Sequence, residues 1–178
     1  MNTAHISLIR EILAAAEERG LPLWLESGWA IDARLGRITR EHEDIDLAFP
    51  SDRHEQFMSL LQTFESGKVE KTDYGFLVYA RDILLDCEPC IQHGESYELE
   101  DTPLGSCPRE KQGIIAGVAL RCTSWETILW EYFSYMDEVP QTSWRPKDFE
   151  SYAVVLTSLG EANVEKLRLA FETAKNNR

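Results

Sequence analysis

The chain has 178 residues, of which 43% are hydrophobic and 28% are charged, as in a globular protein with one domain or two small ones. Its net charge of −13, from 31 acidic and 18 basic residues, argues against a nucleic-acid partner, because phosphate binding needs clustered Lys and Arg. No apolar run reaches the roughly 18 residues of a membrane span and no signal peptide is visible, so we expect a cytoplasmic protein without a membrane partner.

The first half of the chain alternates between helical and strand patterns. Apolar residues at helical spacing predict helices over residues 3–19, 29–35 and 51–64. Short apolar or alternating runs predict strands over residues 21–25, 44–49, 68–71, 76–80 and 83–88. This order of elements predicts a mixed β-sheet with helices packed against it.

A stretch rich in Gly, Ser and Pro, residues 94–108, marks a boundary together with Pro89. The helical pattern that follows predicts helices over residues 124–137, 146–159 and 161–175. We therefore predict an α+β protein, with a mixed-sheet domain over residues 1–92 and a helical domain over residues 93–178.

Four cysteines allow two interpretations. Cys87 and Cys90 form a CxxC pair that could bind zinc together with Cys107 and Cys122. The second pair is separated by 14 residues, however, and Cys87 falls in a predicted strand. Buried free thiols fit this spacing better, because a free cysteine packs as a small apolar residue.

Two aspartates, Asp44 and Asp46, alternate with the apolar residues Ile45 and Leu47 on one predicted strand. Residues i and i+2 of a strand share a face, so the two carboxylates would project together, about 6–7 Å apart. Such a pair repels itself unless a cation lies between the two groups, and Mg²⁺ is a hard ion that carboxylates and phosphate oxygens bind. The alternative is a solvated strand edge that carries acids without a metal.

A turn of small residues, Ser27-Gly28, precedes Asp44 by 16 residues, counted from the glycine. Because the turn ends a strand and opens a helix, its backbone N–H groups could bind phosphate. A later strand carries Asp86 and Glu88 on one face, and Asp86 could act as a general base for a hydroxyl or as a further metal ligand. Phosphoryl-type transfer needs such a phosphate site beside its metal.

With its small-residue turn, spaced DxD and third acid, the chain resembles the DNA polymerase β-like nucleotidyltransferase superfamily. It is more closely similar, over nearly its whole length and in matching order, to the bacterial aminoglycoside 2''-O-nucleotidyltransferases. The segments that carry this similarity are residues 21–24, 28–37, 42–49, 73–77, 84–89, 105–108, 124–126 and 137–140.

The resemblance implies transfer of a nucleoside monophosphate from ATP or another NTP to a hydroxyl of an aminoglycoside, with release of pyrophosphate and resistance to the antibiotic. Residues 1–92 would be the nucleotidyltransferase domain and residues 93–178 the acceptor-binding domain, in a monomer.

Asp44 and Asp46 would bind Mg²⁺, two ions being expected, and Asp86 would be the general base and a further ligand. The other implied site residues are Ser27, Gly28 and Arg40 for the nucleotide, and Tyr74, Glu88, Glu131 and Tyr135 for the aminoglycoside. The acidic composition agrees, since aminoglycosides are polycations.

The chain departs from the family at several positions. Glu26 and Ser27 stand where the family has glycine, and an acid beside a triphosphate repels it unless the side chain points away or meets a metal. Ser134 stands where the family has an aromatic residue. His42, two residues before the DxD, could contact phosphate or metal, or could stabilise the turn.

Two alternatives stay open. One is the same transfer to another acceptor, such as a lincosamide or a protein hydroxyl. The other is a non-catalytic relative that binds nucleotide or a partner, for which Glu26 is the main argument. Retention of Asp44, Asp46 and Asp86 argues against the second alternative, because a protein that only binds has no need for three clustered acids.

Overall fold

The computed structural model describes residues 2–177. Its helices are α1 (Asn2–Glu18), α2 (Ser27–Leu35), α3 (His54–Gln62), α4 (Trp125–Glu138), α5 (Pro146–Leu159) and α6 (Glu161–Asn176). Its strands are β1 (Trp24–Leu25), β2 (Asp44–Pro50), β3 (Glu70–Lys71), β4 (Phe76–Ala80), β5 (Ile83–His93), β6 (Ser96–Leu99), β7 (Gly113–Ile115) and β8 (Val118–Leu120). The α+β class is confirmed, and the helix predicted over residues 51–64 begins with a 3₁₀ turn at Ser51–Arg53.

Six strands form one mixed sheet, in the order β1-β2-β5-β4-β3, and β6 pairs with the far end of β5. Strands β2 and β5 run parallel, whereas the other pairs of this sheet are antiparallel. The parallel register places Asp46 beside Asp86 and Ala48 beside Glu88. The predicted mixed sheet is confirmed, and its two acidic strands are direct neighbours.

Strand β5 continues to His93, past the predicted end at residue 88. β4 pairs with β5 up to Cys87, and β6 pairs with it from Cys90 onward. Pro89 therefore lies at the point where the antiparallel neighbour of β5 changes from β4 to β6. Neither strand pairs with Pro89, so its missing N–H group removes no hydrogen bond to them. The predicted domain boundary after residue 92 falls inside this strand, and the division into two domains stays a prediction.

Strands β7 and β8 form a hairpin in a stretch for which the sequence predicts no strand. Its turn is Ala116-Gly117, and both residues have positive φ, 48° and 77°, as in a two-residue hairpin turn. The hairpin packs closely on α2: a Cβ added to Gly113 would lie 2.7 Å from the Cβ of Ala33. A glycine at position 113 therefore lets this hairpin approach α2 closely.

Hydrophobic side chains cover both faces of the sheet. The main core includes Ile45 and Leu47, which lie under the helices, and is filled by buried side chains of α1, α2, α3 and α4. A smaller cluster contains Ala48, whose side chain points to the opposite face from that of Leu47. The members of this smaller cluster are Trp24, Ala48, Cys90, Leu99 and Cys107.

All four cysteines are buried free thiols, as the preferred interpretation predicts. Cys90 and Cys107 belong to the smaller hydrophobic cluster, and Cys87 and Cys122 belong to the main core. In the part of the chain that the structure describes, no group of His, Cys, Asp or Glu is arranged as a metal site, so the zinc alternative has no support.

The three C-terminal helices pack on one another, and α5 also contacts α2. An aromatic cluster joins α4 to the start of α5, with the rings of Tyr132, Tyr135 and Tyr152 centred 5.8, 5.6 and 5.5 Å from Trp144. This packing positions α4 and the N-terminus of α5 opposite the acidic strands. None of the helices within residues 2–177 is long and apolar enough to cross a membrane.

Candidate active site

Two neighbouring strands place three carboxyl groups on one face of the sheet. Asp44 and Asp46 alternate along β2 with the fully buried Ile45 and Leu47, and Asp86 lies beside Asp46 on β5. Residues at paired positions of neighbouring strands share a face, so the three carboxyls project together. Burial raises the pKa of Asp46 well above its ordinary value, and repulsion by Asp44 and Asp86 raises it further.

Asp86 is held by a tyrosine. The Tyr74 hydroxyl donates a hydrogen bond of 2.8 Å to Oδ2 of Asp86. Burial raises the pKa of Asp86, the hydrogen bond from Tyr74 partly opposes that shift, and the nearby Asp44 adds to it. An upward-shifted carboxylate is the more effective proton acceptor, so this environment suits a general base.

The turn before α2 forms the opposite wall of the site. Ser27 adopts φ 48°, in the left-handed region, and Gly28 is buried. A Cβ added to Gly28 would lie 2.2 Å from Nη2 of Arg40 and 2.9 Å from Cε1 of His42, so the glycine lets Arg40 lie across the start of α2. A helix N-terminus with a guanidinium beside it is suited to a phosphate group.

The side chain of His42 packs against this turn. Its Nε2 lies 2.7 Å from Oδ2 of Asp32, and its ring stacks on Trp29 with the ring centroids 4.1 Å apart. Trp29 in turn donates its indole N–H to the main-chain oxygen of Asp44, at 2.8 Å. Since His42 is only 2% exposed, these contacts favour the turn-stabilising role over contact with phosphate or metal.

A cavity of about 310 Å³ lies between the turn, β2, α4 and the start of α5. The predicted site residues that line it are Ser27, Gly28, Arg40, Asp44, Asp46, Glu131 and Tyr135. We call it the basic cavity, because Arg40, Arg145 and Lys147 place three cations in its wall, beside the carboxyls of Asp44, Asp46, Glu131 and Asp148.

Sequence reasoning missed Arg145 and Lys147. Lys147 reaches across the fold, with its Nζ 2.8 Å from Oε2 of Glu43, and Arg145 lies 3.7 Å from the same oxygen. A signal was present at the start of α5, where Pro146 is the first residue and basic residues flank it. Cations at a helix N-terminus oppose the helix dipole, so such a sequence indicates an anion nearby.

A second cavity, of about 450 Å³, is here called the acidic cavity. The acidic residues that line it are Glu88, Glu100, Asp101, Glu131, Asp137 and Glu138. Among the described residues in its wall, Lys175 is the one cation, and its Nζ lies 2.6 Å from Oδ2 of Asp137. Glu131 and Tyr135 line both cavities, which are therefore two parts of one cleft.

Two carboxyls of the acidic cavity, those of Glu88 and Glu131, are in an unfavourable environment without a cation. Burial raises the pKa of Glu88 to about 7, and repulsion by Asp86 and Glu100 contributes. Burial raises the pKa of Glu131 to about 8, and repulsion by Glu88 and Asp46 contributes. A ligand that carries ammonium groups would stabilise the ionised forms of these carboxyls.

The acidic strands suit Mg²⁺, although they do not form a complete cage. Within residues 2–177, no three His, Cys, Asp or Glu side chains are arranged to hold an ion on their own. Mg²⁺ is usually bound by one or two carboxylates together with phosphates of the substrate. Asp44 and Asp46 offer such carboxylates, in the wall of the cavity that also contains Arg40.

Known proteins share both the sequence and the fold of this chain. The sequence model of the family described as aminoglycoside-2''-adenylyltransferase matches residues 8–169. The chain belongs to this family. A 2''-aminoglycoside nucleotidyltransferase of Escherichia coli is 51% identical over 173 residues, which cover 97% of this chain and 98% of that protein. The same identity and coverage hold for a 2''-aminoglycoside nucleotidyltransferase of Klebsiella pneumoniae.

Solved structures agree with the family assignment. The crystal structure of ANT(2'')-Ia in complex with adenylyl-2''-tobramycin superimposes with a TM-score of 0.93, at 51% identity, over 96% of this chain and 98% of that one. The lincosamide adenylyltransferase LnuA has a TM-score of 0.64 at 18% identity, over 83% of this chain and 93% of that one, and so shares the fold alone. The resemblance predicted from the sequence is therefore confirmed, and the chain is a nucleotidyltransferase.

The structure brings the predicted site residues into one cleft, while their individual roles stay predictions. Asp86 and Tyr74 are the exceptions to the predicted grouping, because neither residue lines either cavity described above. Asp86 lies beside Asp46 on the sheet, and Tyr74 contacts Asp86. The acids of the cleft that sequence reasoning missed are Glu100, Asp101, Asp137 and Glu138. They lie in a loop and at the end of α4, where no periodicity distinguishes a site residue from a solvated acid.

Proposed function

We propose that the protein transfers the adenylyl group of ATP to the 2''-hydroxyl of an aminoglycoside, releases pyrophosphate and thereby gives resistance to the antibiotic. The observation that carries this proposal is the division of one cleft into a basic cavity and an acidic cavity that meet at Glu131 and Tyr135. A nucleoside triphosphate is an anion, which the three cations of the basic cavity and a metal ion on Asp44 and Asp46 would neutralise. An aminoglycoside is a polycation, which matches the carboxyls of the acidic cavity. The relative ANT(2'')-Ia was crystallised with adenylyl-2''-tobramycin, which has the expected form of the product.

In the basic cavity, Arg40 and Lys147 would neutralise the triphosphate, and the first backbone N–H groups of α2 would donate to its oxygens. Asp44 and Asp46 would hold Mg²⁺, which in such sites neutralises charge on the phosphates. Ser27 offers a hydroxyl at the same end of the helix. These groups would fix the α-phosphorus beside Asp86, and phosphoryl-type transfer depends mainly on such positioning.

On the strand next to Asp46, Asp86 would accept the proton of the acceptor hydroxyl. The hydroxyl oxygen then forms a bond to the α-phosphorus, and the bond from that phosphorus to the bridging oxygen of pyrophosphate breaks. Tyr74 would hold the Asp86 carboxylate in position through its 2.8 Å hydrogen bond. The proton remains on Asp86 until solvent removes it, and pyrophosphate leaves from the basic cavity.

In the acidic cavity, Glu88 and Glu131 would bind ammonium groups of the aminoglycoside, and Tyr135 would contact a sugar ring. An uncharged acceptor would leave these carboxyls without partners, so their number favours a polycation. The three acids Asp44, Asp46 and Asp86 on neighbouring strands argue against the non-catalytic alternative, because a protein that only binds has no need for them.

The proposal is tested by incubating the purified protein with Mg²⁺, ATP and tobramycin, and by measuring pyrophosphate release and the mass of the antibiotic. We expect the mass to increase by one adenylyl group, at the 2'' position. Asp86→Asn should lower kcat by about 100-fold or more, with little change in the KM for ATP, because a base acts in the chemical step. Absence of turnover with every aminoglycoside, combined with turnover of an uncharged acceptor, would refute the proposal.

A further inference from the structure

Glu98 is a buried acid of β6 that lines neither cavity. Its Oε2 accepts hydrogen bonds of 2.8 Å from the N–H groups of Gly105 and Ser106 and from the hydroxyl of Ser106. Its Oε1 accepts a further hydrogen bond, of 3.2 Å, from the hydroxyl of Ser96. Burial alone would raise the pKa of Glu98, but the hydrogen bonds from Ser106 and Gly105 outweigh burial and hold this pKa below its ordinary value. A buried carboxylate with this many donors is firmly fixed in place.

The hydrogen bonds of Glu98 close the loop of residues 100–105, which belong to no helix or strand. At the base of this loop, the N–H of Leu99 donates a hydrogen bond of 2.8 Å to Oγ of Ser106. Within the loop, the hydroxyl of Thr102 donates to the main-chain oxygen of Leu99, also at 2.8 Å. Because a loop has no ladder of backbone hydrogen bonds, such contacts determine its conformation, and Glu98 supplies most of those at its base.

The 100–105 loop forms part of the wall of the acidic cavity. Glu100 and Asp101 line this cavity together with Glu88. Burial and repulsion by Asp86 raise the pKa of Glu88, and repulsion by Glu100 adds to the shift, which agrees with a short distance between the two glutamates. Two acids of the loop therefore face the same space as a proposed ammonium ligand.

The same network links the loop to α4, which forms another part of the cavity wall. The main-chain oxygen of Ser106 accepts a hydrogen bond of 3.1 Å from the N–H of Ser124, the N-cap residue of α4. Helix α4 carries Glu131 and Asp137, which line the acidic cavity. A displacement of Ser106 would therefore change the separation between the acids of the loop and those of the helix.

We propose that Glu98 is a positioning residue for the acceptor, which holds the 100–105 loop so that Glu100 and Asp101 meet ammonium groups of the aminoglycoside. This inference rests on the proposed function, since it concerns the same cleft. Glu98 acts through the loop, because its own side chain lines neither cavity. Carboxylates that are fixed before binding lose less conformational freedom when the ammonium groups arrive, and this increases affinity.

The test compares Glu98→Ala and Glu98→Gln by steady-state kinetics, with tobramycin and ATP varied in turn. Glu98→Ala removes the carboxylate that binds Gly105 and Ser106, so we expect the KM for tobramycin to rise by about fivefold or more, with kcat and the KM for ATP within about twofold of wild type. Glu98→Gln should keep the KM for tobramycin within about twofold of wild type, because its amide oxygen can accept from Gly105 and Ser106 while its NH₂ group donates to Ser96. If Glu98 instead attracted the polycation by its charge, both variants would raise this KM equally, and the inference would be overturned.

A second comparison shows whether Glu98 acts through the acids of the loop. In a protein that carries Glu100→Gln and Asp101→Asn, adding Glu98→Ala should cause no further rise in the KM for tobramycin, because the groups that Glu98 positions have already lost their charge. Additive increases would show that Glu98 influences the acceptor by another route, which would contradict the inference.

Glu95→Ala is the matched control. Glu95 is an exposed acid in the turn between β5 and β6, paired with Arg109 and outside both cavities, so its loss should leave both KM values unchanged. Should Glu98→Ala fail to fold, Ser106→Ala replaces it, because it removes only the hydroxyl that Glu98 and Leu99 share. Ser106→Ala should raise the KM for tobramycin by about twofold or more.

Three kinetic outcomes for Glu98→Ala would overturn the inference. A fall in kcat with both KM values unchanged would show only a loss of folded protein, and an equal rise in both KM values would show a general distortion of the cleft. A KM for tobramycin equal to that of the wild-type protein would show that the loop does not depend on Glu98. Absence of any aminoglycoside turnover by the wild-type protein would refute the proposed function itself.

Discussion

At the scale of single residues, Ser27 is a non-glycine residue in the left-handed region, with φ 48°. That conformation costs an L-residue roughly 1–2 kcal/mol, and glycine avoids the cost but loses more entropy on folding. We expect Ser27→Gly to raise the free energy of unfolding by about 0.5–1 kcal/mol. The measurement is urea denaturation of the ligand-free protein.

A matched control for this prediction is Ser59→Gly, at an exposed position in α3. Glycine inside a helix is destabilising, so this control should lower the free energy of unfolding by roughly 0.5 kcal/mol. A free energy of unfolding that rises in Ser27→Gly and falls in Ser59→Gly would show that the backbone of Ser27 is strained. A destabilising Ser27→Gly would show that the hydroxyl of Ser27 contributes more to the fold than its backbone costs.

We expect Glu131 to make the stability of the ligand-free protein depend on pH. Burial raises its pKa to about 8, so the folded state binds a proton more tightly than the unfolded state. The stability that this provides is fully present below the ordinary pKa of a glutamate and is lost as the pH rises through about 8. We expect the free energy of unfolding to fall from pH 5 to pH 9, and Glu131→Gln to flatten this dependence.

The comparison is made by urea denaturation at several pH values, in buffers without aminoglycoside or metal. Glu165→Gln, at an exposed position of α6, is the control and should leave the slope unchanged. If the free energy of unfolding changes with pH equally in Glu131→Gln and in the wild-type protein, other groups cause the pH dependence.

Residue-level prediction from sequence was reliable where a short-range pattern carries the signal. Asp44 and Asp46 could be predicted to share a face because alternation in a strand is a local property. The position of Glu26 beside Asp46 could not be predicted, because it depends on the pairing of β1 with β2, in which Leu25 pairs with Leu47. Lys147 reaches Glu43 across 104 residues, a contact that no sequence pattern indicates.

At the scale of elements, α5 delivers Lys147 to the basic cavity, while α6 delivers Lys175 to the acidic cavity. These two lysines should therefore have opposite effects. We expect Lys147→Met to raise the KM for ATP by about 10-fold with little change in the KM for tobramycin, because a charged contact to phosphate is lost. Lys175→Met should instead lower the KM for tobramycin by about twofold, since an exposed cation contributes little.

Steady-state kinetics with each substrate varied in turn distinguishes these outcomes. The two variants control for each other, because both replace a partly exposed lysine that is paired with an acid. An equal change in both KM values for either variant would contradict the division of the cleft into two cavities of opposite charge.

The ends of helices were predicted well, because the capping residues are close in sequence. The ends of strands were predicted poorly, because they depend on pairing with other strands. Ser124 caps α4 by accepting a hydrogen bond from the N–H of Thr127, and Pro146 starts α5, as the sequence indicates. Pro89 normally ends a strand, but β5 continues because Pro89 falls between two partner strands. The strands β6 to β8, with three or four residues each, are too short to produce a recognisable pattern.

At the scale of the whole molecule, the net charge of −13 is not spread evenly. Six acids line the acidic cavity, and their field should attract a polycation before it makes contact. The Debye length falls from about 10 Å at 0.1 M salt to 3 Å at 1 M, so screening should raise the KM for tobramycin. Glu88→Gln should make this salt dependence shallower, as measured by acceptor KM at several NaCl concentrations.

The KM for ATP is the internal control for this series. Its salt dependence should be the same in Glu88→Gln and in the wild-type protein, because Glu88 does not line the basic cavity. A salt-independent KM for tobramycin would indicate that contacts other than charge determine acceptor binding.

Strand β5 carries both Asp86 and Glu88, the proposed base and a proposed ammonium ligand. Two such residues are held about 6–7 Å apart by the extended backbone, which no loop movement can alter. In the proposed function, the strand therefore fixes the separation at which a reactive hydroxyl and a neighbouring amine of the drug are bound. We therefore expect an aminoglycoside in which that separation is changed to be modified more slowly than tobramycin, even if it still binds in the cleft.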